Sequence, residues 1–538
     1  MTKPMTEPII GHNVPVLIVG AGPAGLTAAI TLARQGIGSL LVERRDDPSD
    51  LPRATLASTR SMELFRSWGV ESPIRAGSVD VTSALWVTHT LATPQGRAQR
   101  VGLPDRTQAA AISPTGPVWA PQDHVESVLL THLRTYRIAR IRYGTELVAL
   151  EQNHDGVRAT VRDRSGDTVT DTVTRISARF LVAADGAHST VRGALGIPMH
   201  GPDRLLECVS TLFVAPLWDV VGDRRYGVYW VEHAEAAGNF LPAGGDRWLY
   251  GRHWEPGREQ AADYPADRLI RLIRLGTGVP ELAPRLLRVG AFTFAAQLAE
   301  RFRDRRIFLA GDAAHRITPR GGTGMNTAIQ DGYDLGWKLA WTLHGWAGPQ
   351  LLDTYEAERR PIAVANVNRS AQRRGNERDA DEGLAIDLWG RLPHAWLPGA
   401  DGVSTLDLLG PGLTLLTDQT GQDWHAAADA VPPPVPLTRH VLDAATAVAV
   451  GIEPGAALLV CPDAHIAARW VSSDTAAGRT HRDVIRGAFH DQRPGLHQDP
   501  GRSDGERELA GFDVGAQRLE QQLADLSRQP HRTDFVTG

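Results

Sequence analysis

Residues 14–36 read VPVLIVGAGPAGLTAAITLARQG. Val14 to Val19 are apolar and rich in β-branched residues, the composition of a buried parallel strand, and Ala24 to Gln35 carries alanine and leucine at helical spacing. Gly20, Gly22 and Gly25 complete G-x-G-x-x-G at the junction. In that pattern the first glycine lets the chain turn, the second lets a pyrophosphate approach the backbone, and the third lets the helix pack on the strand. The helix start then offers free N–H groups and a positive dipole end to the anion. Glycines between a strand and a helix can also form a tight turn and nothing more, so the next strand matters. SLLVER, residues 39–44, carries Glu43, 18 residues after Gly25. A carboxylate there accepts hydrogen bonds from an adenosine ribose and repels a 2′-phosphate, which predicts a Rossmann-like unit for FAD or NAD in preference to NADP.

A second stretch separates these two dinucleotides. Residues 307–326 read IFLAGDAAHRITPRGGTGMN: an apolar strand runs into Gly311-Asp312, and Gly321, Gly322 and Gly324 precede a helix predicted from Met325. A bound NAD needs no such distant loop, whereas FAD is long enough to be held at both ends. Asp312 is the expected acceptor for ribityl hydroxyls, and the helix start is expected to face the pyrimidine edge of the flavin. A third element, FLVAADGAHSTVR, runs as a strand over Phe180 to Ala184, then Asp185-Gly186, then a helix start at Ser189/Thr190 ahead of Arg192.

Composition narrows the partners. A chain of 538 residues exceeds one ordinary core, so two to four domains are expected. The formal net charge of −5 provides no basic excess for a polyanion, and nucleic acid is not an expected partner. Cys208 and Cys461 form no CxxC pair or zinc spacing, so neither thiol redox chemistry nor a metal site is expected. The start, MTKPMTEPIIGH, lacks a signal-peptide pattern, and no window approaches the ~18 apolar residues of a membrane span. A cytoplasmic monomer or homodimer is the expectation.

GAGPAG, DGAHSTVR and GDAAHRITPRGGTGMN, in this order, resemble the class A FAD-dependent aromatic hydroxylases typified by 4-hydroxybenzoate and phenol hydroxylases. Within them the chain looks most like the actinobacterial aromatic-polyketide hydroxylases of anthracycline, angucycline, tetracenomycin and rubromycin pathways. The resemblance is strong from residue 14 to about 380 and looser beyond. It implies FAD contacts at Gly20, Gly22, Ala24 and Gly25, at Glu43 and Arg44 on the ribose, at Arg53 and Gln122, and at Val148 beside the adenine. Asp185 belongs to the motif that serves both FAD and a visiting nicotinamide nucleotide, and Asp312, Pro319, Gly324, Met325 and Asn326 line the isoalloxazine. The implied chemistry starts from tightly, non-covalently held FAD. NADPH or NADH reduces it transiently, O2 adds to give a flavin C4a-hydroperoxide, and the distal oxygen attacks an electron-rich ring. The Pro319 carbonyl is expected to help hold the hydroperoxide, and His233, Tyr226 or Tyr229 are candidates for phenol deprotonation.

The implied fold is α/β, a Rossmann-like FAD-binding domain with an inserted β-sheet substrate domain and a C-terminal thioredoxin-like domain. The expected boundaries are 1–75, 105–200 and 290–385 for the FAD-binding domain and 76–104 and 201–289 for the substrate sheet. A thioredoxin-like domain lacking CxxC is expected over 395–487. A polar tail, 488–538, then allows a short helix with Leu519, Leu523 and Leu526 on one face. In RYGVYWVEHAEAAGNFLPAGGDRWLYGRHW, residues 225–254, alternation puts Tyr226, Val228 and Trp230 on one face of a strand and Tyr229 and Val231 on the other. Trp230, Trp248 and Trp254 are expected either to wall a flat pocket or to fill a core. With Tyr226, Trp230 and Trp248 as substrate contacts, the expected substrate is a polycyclic phenolic or quinoid polyketide. Hydroxylation is the leading outcome, and Baeyer–Villiger oxygenation or oxidative ring opening is the alternative. A flavin halogenase, which relies on a lysine between flavin and substrate, is disfavoured because only Lys3 and Lys338 are present.

Overall fold

The computed structural model describes residues 9–163, 172–375, 377–430, 435–471 and 480–481. The Ile9–Val19 strand lies between Ser39–Val42 and Thr172–Ala183, parallel to both, and Ala139–Arg142 and Ile307–Leu309 extend the parallel sheet on either side. Val16, Leu17 and Ile18 are sealed from solvent, as a two-faced buried strand requires. In register, Val19 stands beside Val42 and Ala183, and Ala183 beside Leu309. The carboxyl ends of four strands therefore finish on one edge, and Gly20, Glu43, Asp185 and Gly311 all follow from it. Ligands of open α/β sheets bind at that edge.

Two helices lock the edge together. Pro23–Arg34 and Gly324–His344 lie against each other, and a Cβ on Gly332 would run into the Ala24 carbonyl while one on Gly336 would press on Thr31 at 2.6 Å. Contacts advance in the same sense along both helices, so they run parallel, and the longer one begins about two turns before the level of Ala24, both starts following a glycine loop on the same side of the sheet.

A second, seven-stranded sheet runs Arg285–Phe294, Leu206–Val214, Arg247–Trp254, Gly238–Pro242, Tyr226–Val231, Thr82–Thr88 and Gly96–Arg100 in spatial order. One face is covered by helix Ala266–Thr277, and the core between them contains Phe213, Tyr229, Phe240, Trp248 and Tyr250. Trp248 is fully buried there, and Trp254 stacks on Tyr264 at 5.0 Å, so both tryptophans fill a core and the expectation that Trp248 touches substrate is corrected. Tyr226 is also displaced from its expected face. The register slips between Tyr226 and Val228, and the Tyr226 ring stacks on Trp86 at 4.9 Å and meets Tyr229 edge-on.

At the C-terminal end, Leu413–Thr417 pairs in parallel with Leu437–Val441 and antiparallel with Ala457–Val460, which Ile466–Trp470 follows. Trp424 and Trp470 of this unit share a core with Trp337 and Trp341. Lys338, the lysine of that helix, is buried with its Nζ 2.9 Å from Asp334 and 2.6 Å from Glu358. Cys461 is buried and free. The expected tail, 488–538, lies outside the described residues. Among the described residues no helix is long and apolar enough to cross a membrane.

Candidate cofactor and active site

The three glycines of the first loop do different work. Gly20 has φ +105°, and a Cβ there would meet the Ala184 carbonyl oxygen. A Cβ on Gly25 would meet the Gly20 carbonyl oxygen. On Gly22 it would meet nothing within 4 Å. Gly22 therefore faces an open cradle at the start of Pro23–Arg34, where no side chain caps the free N–H groups. That is the arrangement a pyrophosphate fills. Glu43 secures the rim: its Oε2 accepts the Ala21 N–H at 2.9 Å, and its Oε1 accepts the Arg45 backbone N–H at 3.0 Å and Nε–H at 3.2 Å. A carboxylate has about four acceptor positions, so one is left for a ribose hydroxyl.

Ala24 is buried, and Arg44, Arg53 and Val148 are exposed. Gln122 donates its backbone N–H to the Ala54 carbonyl at 2.8 Å and its side-chain amide to Glu126 at 2.7 Å. Burial pushes the Glu126 carboxyl above the usual carboxylate range, against the Gln122 hydrogen bond and the field of Arg45 and Arg53. No motif pointed to Glu126. Asp185 spends its carboxylate on its own turn, accepting Ser189 Oγ–H at 2.6 Å and the Val191 N–H at 3.0 Å.

On the second loop, Asp312 is half-buried and its carboxylate accepts no hydrogen bond among the described residues. It follows Gly311, whose N–H donates to Asp331 Oδ2 at 3.0 Å. The same carboxylate binds His315 Nε2 at 2.6 Å and Arg359 Nε at 2.9 Å. Burial opposes ionisation of Asp331, but His315 and Arg359 outweigh it and hold the carboxyl down at about 2. A depressed carboxyl contributes stability above its unfolded value and loses it as pH falls through the folded one. The Asp331 network is thus expected to supply about 2 kcal/mol that disappears between roughly pH 4 and pH 2. Tryptophan fluorescence against pH checks this: Asp331→Asn should flatten the acid limb, and an unchanged limb would count against the network.

Asn326 ties the loop to a neighbouring segment. Its Oδ1 accepts the Ser58 N–H and Ser61 Oγ–H, both at 2.8 Å, and its Nδ2 donates to the Leu56 and Gly322 carbonyls at 3.1 and 3.0 Å. Its side chain is fully engaged, so what it can offer a flavin is backbone. The exposed Pro319 carbonyl accepts the Gly322 N–H at 3.1 Å, closing a turn and keeping one lone pair. Gly324 and Met325 open the long helix, which has no side-chain cap.

His233 is not part of this edge. It sits in an outer turn, where Nδ1 accepts the Glu235 and Ala236 N–H groups at 3.2 and 3.3 Å and the ring rests near His89. Tyr229 donates its hydroxyl to the Arg224 carbonyl at 2.7 Å, and burial pushes it up to about 12. With Tyr226 against Trp86, none of the three expected bases faces the loop. His253 does. It lies 5.3 Å from Trp230 and 6.1 Å from Phe294, ring centroid to centroid, on the sheet face away from helix Ala266–Thr277. Arg320 of the second loop lies over Phe294. Burial, then Arg320 and Arg252, lower the His253 pKa from the ordinary histidine value. No hydrogen bond to its ring occurs among the described residues.

An open cradle at Gly22, two uncapped helix starts and the Asp312 carboxylate on one sheet edge suit FAD, and Trp230, His253 and Phe294 follow one another on the sheet face that Arg320 of the second loop reaches. A family model described as the FAD binding domain matches residues 13–370, and one described as the C-terminal part of aromatic-ring hydroxylases matches residues 388–491. The chain belongs to this family of FAD-dependent aromatic-ring monooxygenases. It is 35% identical to aklavinone 12-hydroxylase RdmE of Streptomyces purpurascens, over 88% of this chain and 98% of that protein. It is 34% identical to tetracenomycin A2 monooxygenase-dioxygenase of Streptomyces glaucescens, over 86% and 95%. A crystal structure of aklavinone-11 hydroxylase with FAD and aklavinone superposes with a TM-score of 0.79 at 31% identity, covering 90% of this chain and 99% of that one.

Proposed function

We propose that the protein hydroxylates a polycyclic aromatic polyketide in natural-product biosynthesis, taking electrons from NADPH or NADH and one oxygen atom from O2. FAD supplies the oxygen-activating chemistry when bound. Gly22 and the Pro23–Arg34 helix start hold its pyrophosphate, Glu43 its adenosine ribose, and Asp312 its ribityl chain. The observation that carries the substrate class is the run of aromatic rings Trp230, His253 and Phe294 on one sheet face, with Arg320 over Phe294, and the relatives named for aklavinone and tetracenomycin support it. Mass analysis of products from a panel running from one ring to five, with NADPH under air, tests it. Oxygen insertion with three or more fused rings is expected, and turnover confined to one-ring phenols would overturn the class.

In this reading Trp230 stacks on the substrate and His253 accepts the phenol proton, since a ring kept neutral by burial and two arginines is an acceptor. Trp230→Ala should weaken substrate binding by about 1–3 kcal/mol with FAD content unchanged. His253→Gln should lower kcat by about 10²–10⁴ and erase an acid limb lying below pH 6.5. A retained limb in that variant would assign the proton to another group.

A further inference from the structure

Arg369 and Arg378 line one cavity with Gly321, Gly322 and Thr323, at the uncapped start of the 21-residue helix Gly324–His344. Arg378 is 8% exposed, yet its Nε and Nη1 have no hydrogen-bond partner, and neither has Arg369 Nε. The remaining contacts are to neutral groups: Arg378 Nη2 donates to the Gly321 carbonyl at 3.3 Å, and Arg369 Nη2 to Asn366 Oδ1 at 2.6 Å and Thr323 Oγ1 at 3.4 Å. Neither guanidinium is ion-paired among the described residues. The nearby Asp387 is already engaged, by Ser58 and Gln330 side chains at 2.8 and 2.9 Å and by the Arg60 N–H at 3.0 Å. The chain makes room for this: a Cβ on Gly102 would collide with the Arg378 side chain, and one on Gly321 would sit 2.7 Å from Nη1. A buried guanidinium and a half-buried one beside it, both with orphaned donors, are costly unless an anion completes them.

Resting on the FAD reading, the loop that carries Asp312 identifies that anion. A bound flavin reduced by two electrons would carry a negative charge on its pyrimidine edge. We propose that Arg369 and Arg378 form, with the helix start, the positive seat for the charge that FAD gains on two-electron reduction. The arginines thereby raise the reduction potential and favour acceptance of hydride.

The test is anaerobic dye-equilibrated reduction of the purified holoenzyme and of Arg378→Met, Arg378→Lys and Arg369→Met. Arg378→Met should retain flavin absorbance and shift the reduction equilibrium about tenfold toward oxidised flavin, a fall of ~30 mV for a two-electron couple. Arg378→Lys should restore part of the shift. If Arg378→Met loses FAD, the other two variants carry the test. A potential unmoved in flavin-loaded variants, or a loss confined to substrate affinity, overturns the assignment. Wild-type protein purified without flavin absorbance would instead remove the FAD reading beneath it.

Discussion

Gly22→Ala is expected to fold normally and to purify without FAD. A methyl group at Gly22 meets nothing in the protein, and its φ of −79° and ψ of −174° suit alanine, so the apoprotein should lose little stability. The methyl group would occupy the space through which a pyrophosphate reaches the free N–H groups of the Pro23–Arg34 helix. Affinity for FAD should fall a hundredfold or more, about 3 kcal/mol. Gly25→Ala should behave differently. Its Cβ collides with the Gly20 carbonyl, and the protein itself should be destabilised, by several kcal/mol because rigid backbone must move. Flavin absorbance and thermal unfolding of the two variants separate the roles. A yellow Gly22→Ala protein would show that the cradle is not the pyrophosphate site.

Trp248→Ala should cost about 3–5 kcal/mol of stability, because it empties a fully enclosed indole site between the sheet and helix Ala266–Thr277. The urea midpoint by circular dichroism would register it. Trp230→Ala, on the opposite face, should leave the stability within about 1 kcal/mol of wild type. Near-normal stability with weakened substrate binding in Trp248→Ala would restore that residue to the pocket wall.

The contrast between these two tryptophans marks where the sequence stops being readable. The three cofactor motifs are local strand–turn–helix units, each announced by glycines that have steric neighbours a few residues away or at the adjoining strand end. The observed helix starts at Pro23, Thr190 and Gly324 accordingly lie close to the positions their sequences predicted. Alternation along 226–231 likewise separated Trp230 from Tyr229. It carried no information on which face helix Ala266–Thr277 would cover, and the register slip beside Gly227 moved Tyr226 across without a local signal. His253 lies one residue before the end of a stretch read for its tryptophans, and its setting comes from Phe294 and, through Arg320, from the second loop. Arg378 owes its place to Gly102 and Gly321, far from it in the chain, through the pairing of Val101 with Arg378.

Turnover in 18O2 with FAD-loaded enzyme, NADPH and the best polycyclic substrate from the panel tests oxygen insertion itself. One 18O atom in the product on an intact ring system is expected, with NADPH consumed in equal amount. Product oxygen drawn from water, or oxidation without oxygen incorporation, would contradict it.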